Sequence, residues 1–230
     1  MLTFKRFSIL IIIALFSVSA VMGQRSGREM SVEESYLQES IELMIIRETV
    51  RADTMDQKMV ALEYIADAID RGNTSDDIRI ALEYLSLEGT QNQTRENGRL
   101  VNNFPLVRRE AARYLGQLGT EAARNTLLKV CIAEKEPMVL QEVVKSLGDI
   151  ESDNGDEAIR FIAWTVSRFD VLNPDNLLAL SAVDAIQKIS DRSDTVDPEA
   201  IRLLIRISEG QYIRSVQMKA RQVLLNMRGH

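Results

Sequence analysis

Four arginines occur in one local pattern, each three residues after an acidic residue. The arginines are Arg79, Arg124, Arg160 and Arg202, and the acids are Asp76, Glu121, Glu157 and Glu199. A guanidinium group binds carboxylates with two parallel hydrogen bonds, so a row of arginines on one surface could bind an acidic partner. The same spacing allows an ion pair across one helical turn, which stabilises a helix by roughly 0.3 kcal/mol. The pattern leaves both interpretations open.

A second group of candidate residues lies between Glu157 and Arg168, where apolar side chains cover more than one face of a predicted helix. A surface helix needs only one apolar stripe, so Phe161 and Trp164 could contact a partner. Tryptophan is enriched among the residues that dominate interface energy, which makes Trp164 the candidate anchor. The alternative is that Trp164 packs between neighbouring helices. Arg168 and Arg206 would extend the arginine row.

Residue types suited to catalysis are scarce. The chain contains one histidine, His230, and one cysteine, Cys131. Because no internal histidine can act as its base, Cys131 is predicted to be a small buried residue rather than a nucleophile. Carboxylates are plentiful but no two are paired in an apolar setting, so a carboxylate-based enzyme is the weaker alternative. We predict a protein with no catalytic residues, no metal site and no cofactor.

Five amphipathic segments provide the framework for these residues, with apolar positions at i, i+4, i+8 and i+11. They begin at Gln57, Val107, Val139, Leu178 and Val216. On a helix of 3.6 residues per turn this spacing places four side chains on one face, which must be buried against neighbours. The intervals of 50, 32, 39 and 38 residues suit a repeat of two helices. The arginine-containing segments lie between, as the second helix of each repeat.

The amino-terminal residues predict export. Residues 1–23 have the basic start, apolar middle and small-residue end of a secretory signal peptide, with cleavage after Ala20 or Gly23. An uncleaved membrane anchor is the alternative. Residues 24–30 lack periodicity and are predicted to be a flexible leader. We therefore expect a periplasmic or secreted protein with no membrane insertion after cleavage.

Residues 31–230 are predicted to form a single all-α domain. Its first helix, which ends near Arg51, lies outside the repeat pattern and is expected to cap the open end of the array. If exposed, this helix would be a dimerisation surface instead. A polar stretch at 89–104 is predicted to be a loop insertion that lengthens the first interval. No segment sustains the period-two alternation typical of strands.

Composition excludes some classes of partner. The net charge of −6 at pH 7 becomes −8 once residues 1–23, with two basic residues, are removed. Such a chain has no overall attraction for nucleic acids or anionic membranes. With 45% hydrophobic residues and one cysteine, the fold must be held by its core rather than by internal disulfides.

The segment Pro105–Gly119 resembles the first helix of a HEAT repeat of the phycobilisome-lyase-like or armadillo type. It contains a proline, the pair Val107-Arg108, small residues and a final Leu-Gly. The next copy has Leu140 in the arginine position. The resemblance covers about residues 55–228 and implies a right-handed α-solenoid of helix pairs with an N-terminal capping helix. It also implies a protein-binding scaffold, because most HEAT-like arrays bind proteins.

These observations predict an exported, non-enzymatic adaptor that binds an acidic protein partner along the second helices. The candidate contact residues are Arg79, Arg124, Arg160, Phe161, Trp164, Arg168, Arg202 and Arg206. One alternative is a structural subunit that self-associates through the ends of the array in an envelope assembly. The other, less favoured, is the carboxylate-based envelope enzyme.

Overall fold

The computed structural model describes residues 32–152, 154–170, 174–193 and 195–227, with side chains from residue 37 onward. The predicted signal peptide (1–23) and leader (24–30) lie outside the described residues. The chain divides into two compact units, Met1–Ile41 and Glu42–His230. In the first unit, the described residues 32–41 are helical, and every feature discussed below belongs to the second unit.

Ten helices are present in the described ranges. They are α1 (Val32–Val50), α2 (Met55–Asp70), α3 (Asp76–Leu87), α4 (Pro105–Leu118), α5 (Glu121–Ala133), α6 (Pro137–Asp149), α7 (Gly155–Asp170), α8 (Asn176–Ser190), α9 (Pro198–Glu209) and α10 (Arg214–Met227). Helices α2, α4, α6, α8 and α10 pack side by side as a first-helix row, and α3, α5, α7 and α9 form a second-helix row. The predicted all-α, solenoid-like fold is confirmed.

The core follows the sequence periodicity. All four apolar residues of the segments beginning at Val107, Val139 and Leu178 are buried. In the first segment, by contrast, Gln57 is exposed and the following Lys58 is buried. Burial also decreases along α10, since no described helix packs on its far side.

Small residues let the first-helix row pack closely. A Cβ atom added to Gly116 of α4 would lie 2.7 Å from the Ser146 Cβ of α6, and one added to Gly148 of α6 would lie 2.6 Å from the Ala185 Cα of α8. Both distances are shorter than van der Waals contact. The helix axes can therefore approach closely only because these positions lack a side chain.

The predicted loop insertion at 89–104 contains a small antiparallel hairpin. Strand β1 (Arg95–Glu96) pairs with β2 (Arg99–Leu100), and Asn97 and Gly98 form the turn with φ of 49° and 80°. Positive φ at both central residues is the geometry of a type I′ turn, for which Asn-Gly is the preferred sequence. The dipeptide Asn97-Gly98 indicates a hairpin, but the sequence analysis predicted only a loop here.

The second half of α1, residues 42–50, packs on the start of the array. Ile46 and Val50 are buried in the common core. Arg47 forms an ion pair with Asp77 of α3, at 2.8 Å. These contacts lie within the second unit and support the expected capping position of this half of the helix.

Candidate protein-binding surface

Three of the four patterned arginines form the local ion pair that their spacing allows. The distances are 3.0 Å for Arg79–Asp76, 2.7 Å for Arg124–Glu121 and 3.3 Å for Arg202–Glu199. The exception is Arg160, because Glu157 pairs instead with Arg124 of the preceding second helix, at 2.6 Å. The common pattern therefore produces two different roles: a helix-stabilising pair and, at Arg160, a surface arginine with no ion pair to the residues that the structure describes.

Arg124 is an internal link between repeats rather than a surface residue. Its side chain is only 2% exposed, and its guanidinium also donates to the backbone oxygen of Asn154, at 3.0 Å. Because no partner could reach it, Arg124 does not belong to an exposed arginine row. Arg79 is likewise engaged, since it pairs with both Asp76 and Glu83, and Glu83 also binds Lys129.

The exposed part of the second-helix row has an aromatic centre on α7. Trp164 is 46% exposed and Phe161 is partly buried. These two residues line a shallow depression of about 360 Å³ together with Arg160 of the same helix and Ile132 of α5. An exposed tryptophan beside exposed isoleucine is the kind of apolar patch that marks interaction sites.

Arg168 holds the Trp164 ring in place. Its guanidinium lies 4.6 Å from the centre of the Trp164 ring and donates to the backbone oxygen of Glu134, at 2.7 Å. Partial burial lowers the pKa of Arg168, although the Glu134 carboxylate opposes this effect. An arginine remains charged near neutral pH despite such a shift, so the contact is a cation–π interaction.

Helix α9 extends this surface. Ile201 and Ile205 are 38% and 42% exposed, and the side chain of Arg202 is 69% exposed. Arg206 donates to the Ser167 hydroxyl of α7, which joins the two helices at the surface. We call the combined surface the α7–α9 face. It consists of Ile132, Arg160, Phe161, Trp164, Arg168, Ile201, Arg202, Ile205 and Arg206.

The α7–α9 face is positively charged although the chain is acidic. Arg160 and Arg206 form no ion pair with any residue in the described ranges. Of the nearby carboxylates, Glu157 is bound to Arg124 and Glu199 to Arg202, and Asp170, which lies near Arg206, accepts the Tyr212 hydroxyl. The structure thus brings together six of the eight candidate contact residues. The other two are Arg79, which lies on α3, and Arg124, which is buried.

A buried polar network that was not predicted from the sequence adjoins this face at Glu134, whose backbone oxygen accepts from Arg168. Arg108, only 1% exposed, binds the Glu134 carboxylate through Nε and Nη2, at 2.6 and 3.3 Å. Its Nη1 donates to the backbone oxygen of Glu88 and to the Asn103 side chain, at 3.2 and 2.9 Å. Every nitrogen of this guanidinium therefore has an acceptor inside the protein.

Lys58 occupies the equivalent position one repeat earlier. It is 1% exposed and binds Glu88, at 2.8 Å, and the backbone oxygen of Val50, also at 2.8 Å. Glu88 and Glu134 follow the last residues of α3 and α5, so each basic residue of a first helix binds the C-terminal cap of its own second helix. The basic residue at this position was visible in the sequence, but its partner was not.

The described residues give little support to an acidic catalytic pocket, a metal site or a membrane-spanning helix. A cavity of about 930 Å³ near the loops is lined by residues that include Glu121, Glu151 and Asp156, but Glu121 is already bound to Arg124 and Ser152. No group of potential metal ligands occurs in the described ranges. Within the same ranges, no helix has the length and apolar content needed to cross a bilayer.

Cys131 has the properties of a core residue. It is completely buried, and burial raises the pKa of its thiol to about 12, although a hydrogen bond with Thr165 opposes the shift. The thiolate is the nucleophilic form of cysteine, so a thiol with this pKa is unreactive at neutral pH.

The comparison with known families agrees with the architecture. A model of HEAT repeats matches residues 99–163, which span β2, α4, α5, α6 and the first half of α7. This match confirms the resemblance to HEAT repeats inferred from Pro105–Gly119. No curated protein sequence matches the chain. Residues 99–163 are therefore similar to HEAT repeats, which generally mediate protein–protein interaction, and the match includes part of the α7–α9 face.

Proposed function

We propose that this protein is a non-enzymatic scaffold that binds a protein partner through the α7–α9 face. The observation that carries the proposal is the exposure of Trp164 at the centre of an apolar depression, with arginines on both sides. Burial of apolar surface contributes roughly 25 cal/mol per Å², so a partner that covers the tryptophan and neighbouring isoleucines gains a large favourable term. Arginine and tryptophan are also the residue types enriched at interface hot spots.

The proposal includes export. Its support is the signal-like pattern of residues 1–23, in which Lys5 and Arg6 precede an apolar stretch. In that case the partner is an envelope or secreted protein. Amino-terminal sequencing of the protein purified from its native host tests this point, with residue 21 or residue 24 expected as the first residue.

A crosslinking pull-down with the mature chain tests the surface. Trp164→Ala is compared with Leu177→Ala, because Leu177 is 59% exposed and lies on α8 of the first-helix row. We expect the same partner to be captured by the wild type and by Leu177→Ala and to be lost with Trp164→Ala. Equal capture by all three proteins would move the binding site away from the α7–α9 face.

Self-association through the end of the array is a second candidate function. Its supporting observation is that Met218 and Leu225 of α10, seven residues apart, are 50% and 67% exposed. Residues at this spacing lie on one side of a helix, so they could pair with a second copy. Light scattering tests the candidate, which predicts an oligomer that Leu225→Glu converts to a monomer. A monomeric wild type at high concentration would exclude it.

A further inference from the structure

Resting on the proposed function, we infer that the partner presents to the α7–α9 face an acidic segment with one large apolar side chain. That side chain occupies the depression formed by Ile132, Arg160, Phe161 and Trp164, and the carboxylates bind Arg160, Arg202 and Arg206.

The charge of the face selects the carboxylates. Arg160 and Arg206 lack an ion pair with the described part of the chain, so a carboxylate from outside can bind Arg160 without displacing an internal one. Arg206 lies near the Asp170 carboxylate, but that carboxylate already accepts the Tyr212 hydroxyl, so Arg206 can also bind an incoming carboxylate. Arg202 is held only by Glu199, in an exposed pair at 3.3 Å. Pairs of this kind contribute little, so a partner carboxylate can replace Glu199 at small cost.

The depression selects the apolar side chain. Its volume of about 360 Å³ lies at the lower end of the range for ligand cavities, roughly 300–1,000 Å³. Apart from Arg160, its lining residues are Ile132, Phe161 and Trp164, whose carbon surfaces favour a leucine or an aromatic ring. A polyanion such as a nucleic acid has no large aliphatic side chain to place in the depression and would leave this apolar surface unused.

The spacing of the second helices sets the length of the segment. The face crosses α5, α7 and α9, and packed helices lie about 8–10 Å apart, so it is about 20 Å wide. A helical segment of roughly 13 residues, or an extended one of roughly six, covers that width. The partner element is therefore short.

Titration with synthetic peptides tests this inference, because Trp164 is the only tryptophan and its fluorescence reports on the site. The probe is a 14-residue peptide with four glutamates and one central leucine. Its two comparison peptides replace the glutamates with glutamine, or the leucine with alanine. We expect the acidic leucine peptide to bind about tenfold more tightly than either comparison peptide, and its binding to weaken as salt increases.

Variants of the protein identify the groups that bind the peptide. The double variant Arg160→Gln with Arg206→Gln should bind the acidic peptide about tenfold more weakly. A matched double variant, Arg99→Gln with Arg214→Gln, removes two exposed arginines elsewhere and should bind like the wild type. Circular dichroism checks that both variants keep their helical content.

Several results would overturn the inference. These are equal binding of the acidic and glutamine peptides, no binding of the acidic peptide up to about 1 mM, or tighter binding of a thymidine 14-mer. Failure of the inference differs from failure of the proposed function. If Trp164→Ala abolishes partner capture while the charge of the peptide has no effect, the face binds a protein that is not acidic.

Discussion

The buried ion pair between Arg108 and Glu134 provides the sharpest test of how this fold is held together. In the variant Glu134→Ala the Arg108 guanidinium, 1% exposed in the wild type, loses the one ion-pair partner that it has among the described residues. The backbone N–H groups of Lys135 and Glu136 also lose their acceptor, since both donate to Glu134, at 2.8 and 3.0 Å. The perturbation thus removes several interactions at one buried point.

The expected loss of unfolding free energy is about 3–5 kcal/mol, because an unpaired charge is left in the protein interior. Each backbone N–H group left without an acceptor costs about 1–3 kcal/mol, which favours a loss in the upper part of this range. The freed backbone groups can move toward water at the loop 134–136, so we do not expect the loss of unfolding free energy to exceed about 5 kcal/mol. A total of this size is a large fraction of the stability of a typical domain, about 5–15 kcal/mol.

Urea denaturation measures the loss, followed by circular dichroism at 222 nm and by Trp164 fluorescence. The two signals report on the whole array and on α7, so coincident curves show that the repeats unfold together. A second variant, Arg108→Leu with Glu134→Gln, removes both charges. The equivalent position in the next repeat is Leu140, which is completely buried, so leucine fits this site. We expect this double variant to be more stable than Glu134→Ala.

Two results would contradict a dominant cost from the unpaired Arg108 charge. A loss below about 1 kcal/mol for Glu134→Ala would show that the guanidinium reaches water easily. A double variant less stable than Glu134→Ala would show that packing and hydrogen bonds, not the unpaired charge, dominate at this position.

Three further predictions concern packing, reactivity and pH. Gly148→Ala should destabilise the protein by about 1–3 kcal/mol in urea, despite alanine's higher helix propensity, because its Cβ would lie 2.6 Å from the Ala185 Cα; equal stability would contradict close packing. At pH 8 the Cys131 thiol, with a pKa of about 12, should react with a thiol reagent only when the protein unfolds, so rapid labelling of the native protein would exclude its burial. Burial raises the pKa of Glu83, but the interactions with Lys129 and Arg79 together outweigh this and hold the pKa below its usual value. The stability contributed by the Glu83 carboxylate is present above its unfolded pKa and is lost as the pH falls through its folded pKa. Lys129→Met should therefore reduce the loss of stability on acidification. An unchanged dependence of unfolding free energy on pH would count against the Glu83–Lys129 pair.

Hydrophobic periodicity was sufficient to predict the helices and their order. The segments from Val107, Val139 and Leu178 are buried at every apolar position that the sequence pattern selected. This success has a local cause, because helical spacing places side chains on one face whatever the neighbouring helices are. The hairpin at Asn97-Gly98 was also encoded locally, but two-residue strands are too short to give a periodic signal.

The partners of the charged residues were decided by the tertiary structure. Arg124 and Arg160 have the same local sequence pattern, yet Arg124 is buried between repeats and Arg160 lies on the surface without an ion pair to any described residue. The difference arises because Glu157 can reach Arg124 across the stacked second helices. An ion pair depends on distance in space, and thirty-three residues separate these two along the chain. Sequence alone therefore determined the residue types available for binding, and the packing of the helices determined which of them face a partner.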